Sequence, residues 1–233
     1  MKVLVFDVRG KIAHFRRPDT TATHLTYPFI TPTAAKGLVG AVLGITDFTT
    51  SDKIGIQLLN PVETSAQQLS LLGKPGGTVF NRPTTQEILI NPAYRIYYAG
   101  DEYFEELKKY LEEGKSVYPT YLGAAFALTK PEYRGELEGS KITGITGFEN
   151  FITSKTVVPA SLIRELKVEK DKYYSRASGF LYEYLGDREF DKSIDFIYEK
   201  SGQEITFLPG DPESIDSLEL EVINTEDGVI CLF

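Results

Sequence analysis

The chain has 233 residues, of which 42% are hydrophobic and 25% are charged, a composition typical of a folded globular protein and not of a disordered one. It contains a single cysteine, Cys231, which excludes a disulfide within the chain and a zinc site built from several cysteines. The formal net charge of −8 argues against a general nucleic-acid binder.

The charge is unevenly distributed along the chain. Residues 1–46 carry six Lys or Arg against two Asp, whereas residues 161–233 carry eight Lys or Arg against 17 Asp or Glu. A phosphate-binding surface is therefore expected to involve the N-terminal segment, and the acidic C-terminal segment is expected to face solvent or a protein partner. No apolar run reaches the roughly 18 residues of a membrane helix, and the N-terminus lacks the features of a secretion signal, so the expected location is the cytoplasm, away from membranes.

The first elements are predicted from apolar patterning. Residues 2–9 are rich in Val, Leu and Phe and predict a central strand, because both faces carry apolar side chains. The loop over residues 10–31 is long for a compact domain, which is typical of functional loops. Thr31 and Pro32 predict a helix start, and Gly44 predicts its end in a left-handed conformation.

The next segment alternates between regular elements and a polar insertion. After a strand at residues 53–59, residues 61–86 are polar and predict an inserted hairpin. Strand-like alternation over 87–98, interrupted at Asn91-Pro92, a helix capped by Asp101 and a strand at 117–128 are expected to follow. The order predicts an α+β fold, a ferredoxin-like (RRM-like) βαββαβ domain with a β-hairpin thumb.

The predicted domain organisation has two parts. Residues 1–135 form the ferredoxin-like domain, with the thumb at about 61–86. Residues 136–233 form a glycine-bearing linker, which contains Gly139, Gly144 and Gly147, and a small β-rich C-terminal appendage, because short aromatic runs alternate there with turns.

The basic loop and the thumb supply the candidate RNA-binding residues. Arg and Lys neutralise phosphates, aromatic rings stack on unpaired bases, and the free N–H groups of a helix start attract anions. The alternative is a solvated loop whose charges face water. The RNP-type aromatics that an RRM places on its sheet are not recognisable, so sheet-face binding is not expected. The candidate residues are Arg9, Lys11, His14, Phe15, Arg16, Arg17, His24, Thr31, Thr33, Lys36, Phe80 and Arg82.

The sequence predicts no catalytic, cofactor or metal site. It has no Walker loop, dinucleotide fingerprint or serine elbow. His14 and His24 are the only histidines, and their spacing does not match a zinc site. A histidine base would suit metal-free RNA cleavage, which keeps an alternative open: a nuclease with His14 or His24 as base and with Tyr27 and Lys36 near the scissile phosphate.

Two motifs carry a resemblance to a known family. The stretch FDVRGKIAHFRRPDTTATHLTYPFITPTAAKGLVGAVLG resembles the N-terminus of the CRISPR-associated Cas five family, including the helix glycines Gly37, Gly40 and Gly44. YPTYLG at residues 118–123 is similar to a second family segment. The resemblance extends over about residues 3–130 and looks most like subtype I-B.

The resemblance implies a function and partners. It implies a non-catalytic Cascade subunit that binds the 5′ handle of CRISPR RNA and contacts the Cas seven backbone and Cas eight large subunits, with target DNA near the PAM as a further partner. One branch of the family cleaves precursor RNA with a Tyr and a Lys-His pair, and this sequence has no Lys-His dipeptide. The alternatives are a metal-independent endoribonuclease that processes precursor CRISPR RNA and a protein-interaction module without RNA contact.

Overall fold

A computed structural model describes residues 1–73, 79–142, 150–210 and 219–233, and within them the chain is an α+β protein built mainly from strands. The strands are β1 (Lys2–Arg9), β2 (Ile12–Ala13), β3 (Lys53–Leu58), β4 (Thr64–Gly73), β5 (Phe80–Ile90), β6 (Ala93–Ala99), β7 (Glu132–Lys141), β8 (Ile152–Ser154), β9 (Val158–Pro159), β10 (Ile163–Leu166), β11 (Tyr174–Gly186), β12 (Glu189–Glu199), β13 (Ile205–Pro209), β14 (Glu221–Thr225) and β15 (Gly228–Leu232). The helices are α1 (Pro32–Leu43), α2 (Phe104–Glu112) and a 3₁₀ turn at Ala160–Leu162. None of these helices is long and apolar enough to span a membrane.

A nine-stranded sheet organises the molecule, in the order β10-β13-β8-β15-β14-β7-β1-β6-β3. Its N-terminal portion runs β7-β1-β6-β3, and each neighbouring pair in it is antiparallel. The strands and helices of this portion occur along the chain as β1-α1-β3-β6-α2-β7, with the β4–β5 hairpin between β3 and β6.

The central strand β1 is buried on both faces, as its sequence predicts. Leu4, Phe6 and Val8 belong to the main core, which also contains the buried faces of α1 and α2. Val3 and Val5 point the other way, since strand side chains alternate, and they pack in a second core with residues of β6, β14 and β15.

The C-terminal strands cover the sheet face that lies opposite the helices. β14 and β15 continue the sheet beyond β7. The backbones of Phe233 and Ile54 exchange two hydrogen bonds of 2.9 Å, which join the end of the chain to β3. The sheet therefore curls onto itself, and the face opposite the helices is buried beneath Ile223, Ile230 and Leu232.

Helix α1 begins and ends where the sequence predicts. The Thr31 hydroxyl accepts a hydrogen bond from the Ala34 N–H (3.1 Å), and Pro32 occupies the first turn. Gly44 closes the helix with φ of +79°, a conformation that costs glycine little.

The β4–β5 hairpin is the predicted thumb, and most of β4 is exposed. The second strand of the thumb extends further than predicted, because β5 ends at Ile90 and not at about residue 86. Residues 74–78, at its tip, lie outside the described residues.

One predicted strand and one predicted helix cap are wrong. Residues 117–128 form a loop with one isolated bridge, and β7 takes the place of the predicted strand. The loop's backbone hydrogen-bonds to the end of α1, at Val42 and Ala41, and turns at Gly123. Asp101 does not cap α2; the carboxylate of Asp52 instead accepts the N–H groups at the start of that helix, from residues 102 and 103.

The C-terminal residues share the main core with the N-terminal ones. Phe29 stacks on Phe180 of β11, with ring centroids 5.0 Å apart, and packs edge-on against Phe196 of β12. The predicted boundary at residue 135 falls inside β7, which also contains Gly139. Gly144 and Gly147 lie outside the described residues, and the division into two domains stays a prediction.

Candidate nucleic-acid interface

The basic loop is tied to the thumb by backbone hydrogen bonds. The His24 N–H donates to the Thr85 carbonyl (2.8 Å), and the Glu87 N–H donates to the His24 carbonyl (2.9 Å). Strand β2, near the start of the loop, pairs with β5 as well. The loop therefore lies along the return strand of the thumb and not free in solvent.

This pairing gathers four of the predicted residues into what we call the thumb-base cluster: His14, Arg16, His24 and Arg82. Burial is the largest influence on His24 and lowers its pKa, and the positive charges of Arg16 and Arg82 lower it further. Both arginines are exposed. The cluster is thus a locally positive surface on an acidic protein. Its four residues are up to 68 positions apart in the sequence and are brought together by the fold.

His14 occupies the buried side of this cluster. It is 6% exposed, and its Nδ1 lies 2.7 Å from the Glu87 carbonyl oxygen. Burial lowers its pKa, and the positive charge of Arg16 acts in the same direction, against the opposing hydrogen bond with Glu87. Both histidines therefore favour the neutral form at pH 7, so the arginines carry the positive charge of the cluster.

Three further predicted residues lie near the thumb. Lys11 is exposed beside β2. Arg17 forms a salt bridge with Asp19 (2.7 Å), which neutralises much of its charge. Phe80 is exposed at the start of β5, opposite Gly73.

Phe15 is not available for stacking on a base, contrary to its prediction. Its ring is 3% exposed and packs edge-on against Tyr94 in the main core. The sequence places Phe15 between basic residues, but the Phe15 N–H bonds to the Thr26 hydroxyl (2.9 Å) and turns the side chain inward.

Arg9 belongs to a separate ionic network that the sequence did not indicate. Its guanidinium lies 3.3 Å from the carboxylate of Asp7, which also binds Arg95 (2.8 Å) and Arg134 (2.7 Å). Asp7 is 1% exposed. Burial alone would raise its pKa, but the two guanidinium groups of Arg95 and Arg134 outweigh burial and lower the pKa below its ordinary value of 3.8.

The start of α1 is the third location of predicted residues. Thr33 and Lys36 line an open cleft of about 830 Å³ between α1 and the β11–β12 hairpin, while Thr31 caps the helix. The Lys36 ammonium donates to the Thr50 carbonyl (3.4 Å), and burial lowers its pKa. The helix start is therefore separate from the thumb-base cluster in its contacts.

The groups of the alternative nuclease are engaged elsewhere. The Tyr27 hydroxyl donates to the Gly179 carbonyl (2.5 Å), and burial raises its pKa. Lys36 bonds to Thr50, on the cleft side. Within the part of the chain that the structure describes, no group of three His, Cys, Asp or Glu residues is placed to bind a metal ion.

The fold is shared with solved CRISPR proteins. A CRISPR protein from Archaeoglobus fulgidus is 12% identical, with a TM-score of 0.56, over 99% of this chain and 98% of that one. A chain of a CRISPR RNA-guided surveillance complex is 13% identical, with a TM-score of 0.54, over 89% and 91%. A chain of a type III-B Cmr-beta complex bound to cognate target RNA and AMPPnP is 11% identical, with a TM-score of 0.50, over 94% and 88%.

The family model matches a shorter part of the chain than the solved structures do. The family model described as CRISPR-associated protein (Cas_Cas5) matches residues 3–70, the part of the chain that contains the basic loop, α1, β3 and most of β4. The chain is therefore Cas five-like in this segment, and the resemblance predicted from the motif is confirmed. No curated protein matches the sequence.

Proposed function

We propose that this protein is a non-catalytic subunit of a CRISPR effector complex that binds the 5′ handle of CRISPR RNA and caps the assembly. The observation that carries the proposal is the thumb-base cluster, where Arg16 of the loop and Arg82, toward the tip end of β5, form an exposed positive surface along the thumb. Guanidinium groups bind phosphate oxygens through charge-assisted hydrogen bonds. The match of residues 3–70 to the family supports the same role.

The proposed fold is ferredoxin-like, with the C-terminal strands as an extension of its sheet. The order β7-β1-β6-β3 and the succession β1-α1-β3-β6-α2-β7 support this assignment, because they are the arrangement that a split βαβ pair produces. Because the outer face of the sheet is covered, the RNA is proposed to bind along the loop and the thumb.

The proposed partners follow from the same comparison. The proposed RNA partner is CRISPR RNA. The expected protein neighbours are the Cas seven backbone and Cas eight large subunits, and target DNA near the PAM is a further proposed partner. The fold likeness to chains of a surveillance complex and of the Cmr-beta complex supports membership of such an assembly.

The first test combines RNA binding with RNA cleavage. The purified protein is expected to bind repeat-derived RNA with an affinity that falls steeply with salt, because bound phosphates release counterions. It is also expected to leave that RNA intact with EDTA or with magnesium. Fluorescence anisotropy across a salt series and gel analysis of the same samples measure both.

Each outcome of that test separates two functions. Affinity that does not change with salt, or no binding, would favour a protein-interaction module. Cutting at the handle boundary that His14→Ala or His24→Ala abolishes would favour the nuclease.

A shortened thumb tests the assembly role. Replacing residues 70–83 with Asn-Gly joins β4 and β5 at their Leu69–Thr84 pair with a turn that suits a two-residue hairpin. The variant is expected to fold with a melting temperature close to that of the parent, since the side chains of β4 contribute little to the core. Co-purification with the other complex subunits is expected to drop severalfold; normal assembly would make the thumb dispensable.

A further inference from the structure

A small pocket lies at the base of the thumb, next to the thumb-base cluster. It has a volume of about 210 Å³, and we call it the thumb pocket. Its walls come from β2, β4, β5 and the loop at 117–128, which are remote in sequence. The lining residues are Ile12, Gln67, Leu69, Gln86, Ile88 and Phe126.

Gln86 gives the pocket an unusual polar wall. The residue is 7% exposed, yet its side-chain amide makes no hydrogen bond to any residue that the structure describes. Its amide atoms keep some accessible surface, so they are not sealed in the core. Buried polar groups normally have partners, so a group in a pocket without one points to a ligand that supplies it.

Phe126 gives the pocket an aromatic wall. Its side chain is 57% exposed, unusually high for a phenylalanine. The loop that carries it is held firmly: the Leu122 N–H donates to the Ala127 carbonyl (2.8 Å), and the His14 N–H donates to the Leu122 carbonyl (3.2 Å). The backbone that carries Phe126 is thus held in place beside the pocket.

The pocket is continuous with the positive surface. His24 forms a parallel bridge with Gln86 itself, and the positive charges of Arg16 and Arg82 act on His24. A ligand that fits both the positive surface and the pocket needs a negative charge next to a flat, apolar group with polar edges. An unpaired nucleotide has this combination, whereas an apolar protein side chain would leave the amide unpaired.

We propose that the thumb pocket binds one unpaired base of the RNA, which rests on the proposed function, and that adenine fits it best. The base stacks on Phe126, while the Gln86 amide donates to one ring nitrogen and accepts from the exocyclic amine. A glutamine amide makes this pair of hydrogen bonds with adenine. Stacking on Phe126 supplies most of the affinity, and because a glutamine amide can also pair with uracil, the preference for adenine comes from the stronger stacking of its larger ring.

The test compares ten-nucleotide oligo(A) and oligo(U) on the full chain by anisotropy. The wild-type protein is expected to bind oligo(A) more tightly. Phe126→Ala is expected to weaken oligo(A) binding about five- to tenfold or more, in line with the loss of one stacked base. Gln86→Ala is expected to weaken the binding of both oligonucleotides about threefold or more, because the amide can pair with either base.

Matched controls come from the same elements. Tyr121→Ala removes another exposed ring of the loop, and Gln68→Ala removes an amide of β4 that does not line the pocket. Both are expected to bind like wild type. Thermal melts identify any variant whose loss of binding reflects unfolding.

The possible results distinguish a failure of the pocket proposal from a failure of the proposed function. Salt-dependent binding that both pocket variants retain at wild-type strength overturns the pocket and leaves the function standing. Equal wild-type affinity for the two oligonucleotides overturns the adenine assignment. Failure to bind any RNA overturns both proposals. If Phe126→Ala still binds RNA but no longer co-purifies with another subunit of the complex, the pocket binds a protein partner and not a base.

Discussion

Asp7→Asn is expected to destabilise the protein by about 2–4 kcal/mol, a value below the full cost of breaking a buried ion pair because the arginines can reach water. The carboxylate is buried, whereas the side chains of Arg9, Arg95 and Arg134 are partly exposed. Asparagine keeps the shape but loses the charge, so the guanidinium groups repel each other without compensation. For a chain of 233 residues, the expected drop in melting temperature is roughly 5–15 °C.

The pH dependence gives that prediction a second readout. The pKa of Asp7 is lowered in the folded state, so its charge stabilises the fold above the unfolded value near 4, and this contribution is lost as the pH falls through the folded pKa. The difference in stability between wild type and Asp7→Asn is therefore expected to shrink below about pH 4. Urea unfolding at pH 7 and at pH 3 measures it.

Asp19→Asn is the matched control. Asp19 pairs with Arg17 on the surface, where such pairs contribute little. Little change is expected in its urea midpoint. If Asp7→Asn behaved like Asp19→Asn, the network around Asp7 would be an ordinary surface feature.

Local signals predicted a large part of the N-terminal fold. Thr31, Pro32 and Gly44 fix the ends of α1 through interactions within a few residues, and the structure has them as expected. The apolar run of β1 predicted a strand buried on both faces, which it is. The hairpin was indicated by polar composition, because an insertion that leaves the core needs few apolar side chains.

Signals that depend on distant residues were misjudged. Residues 117–128 resemble a strand in composition, but their backbone partners are the end of α1 and a turn at Gly123. Asp101 stands where a cap is expected, yet Asp52, about 50 residues earlier, reaches the start of α2. No local pattern encodes either partner.

The candidate site was also predicted only in part, because some of its residues are brought together by the fold. Basic residues in one loop pointed to Arg16 and His24, whereas Arg82 joins them only through the pairing of the loop with β5. Gln86 and Phe126 were not predicted, because a buried glutamine and an exposed phenylalanine become informative only when their burial is known. Arg95 and Arg134 were missed because sheet pairing alone brings them to Asp7.

Reversing both arginines of the thumb-base cluster is expected to have the largest effect on RNA binding. In Arg16→Glu/Arg82→Glu, two phosphate contacts become repulsive, so affinity for repeat RNA is expected to fall at least tenfold at about 0.1 M salt. The salt slope is expected to become shallower by about one for each phosphate that the protein no longer neutralises. Anisotropy titrations at several salt concentrations measure both quantities.

A charge-matched control separates local interactions from net charge. Arg164→Glu/Lys170→Glu makes the same change in net charge at exposed positions on and beside β10, the far edge of the nine-stranded sheet. This variant is expected to bind RNA within about twofold of wild type, since exposed charges beyond a Debye length of about 10 Å are screened. Neither Arg16 nor Arg82 forms a salt bridge with a described residue, and the Arg16 guanidinium donates only to the Thr20 carbonyl (2.7 Å), so the fold is expected to tolerate the reversal. Equal losses in the two double variants would mean that overall charge governs binding, and the thumb base would no longer be the RNA site.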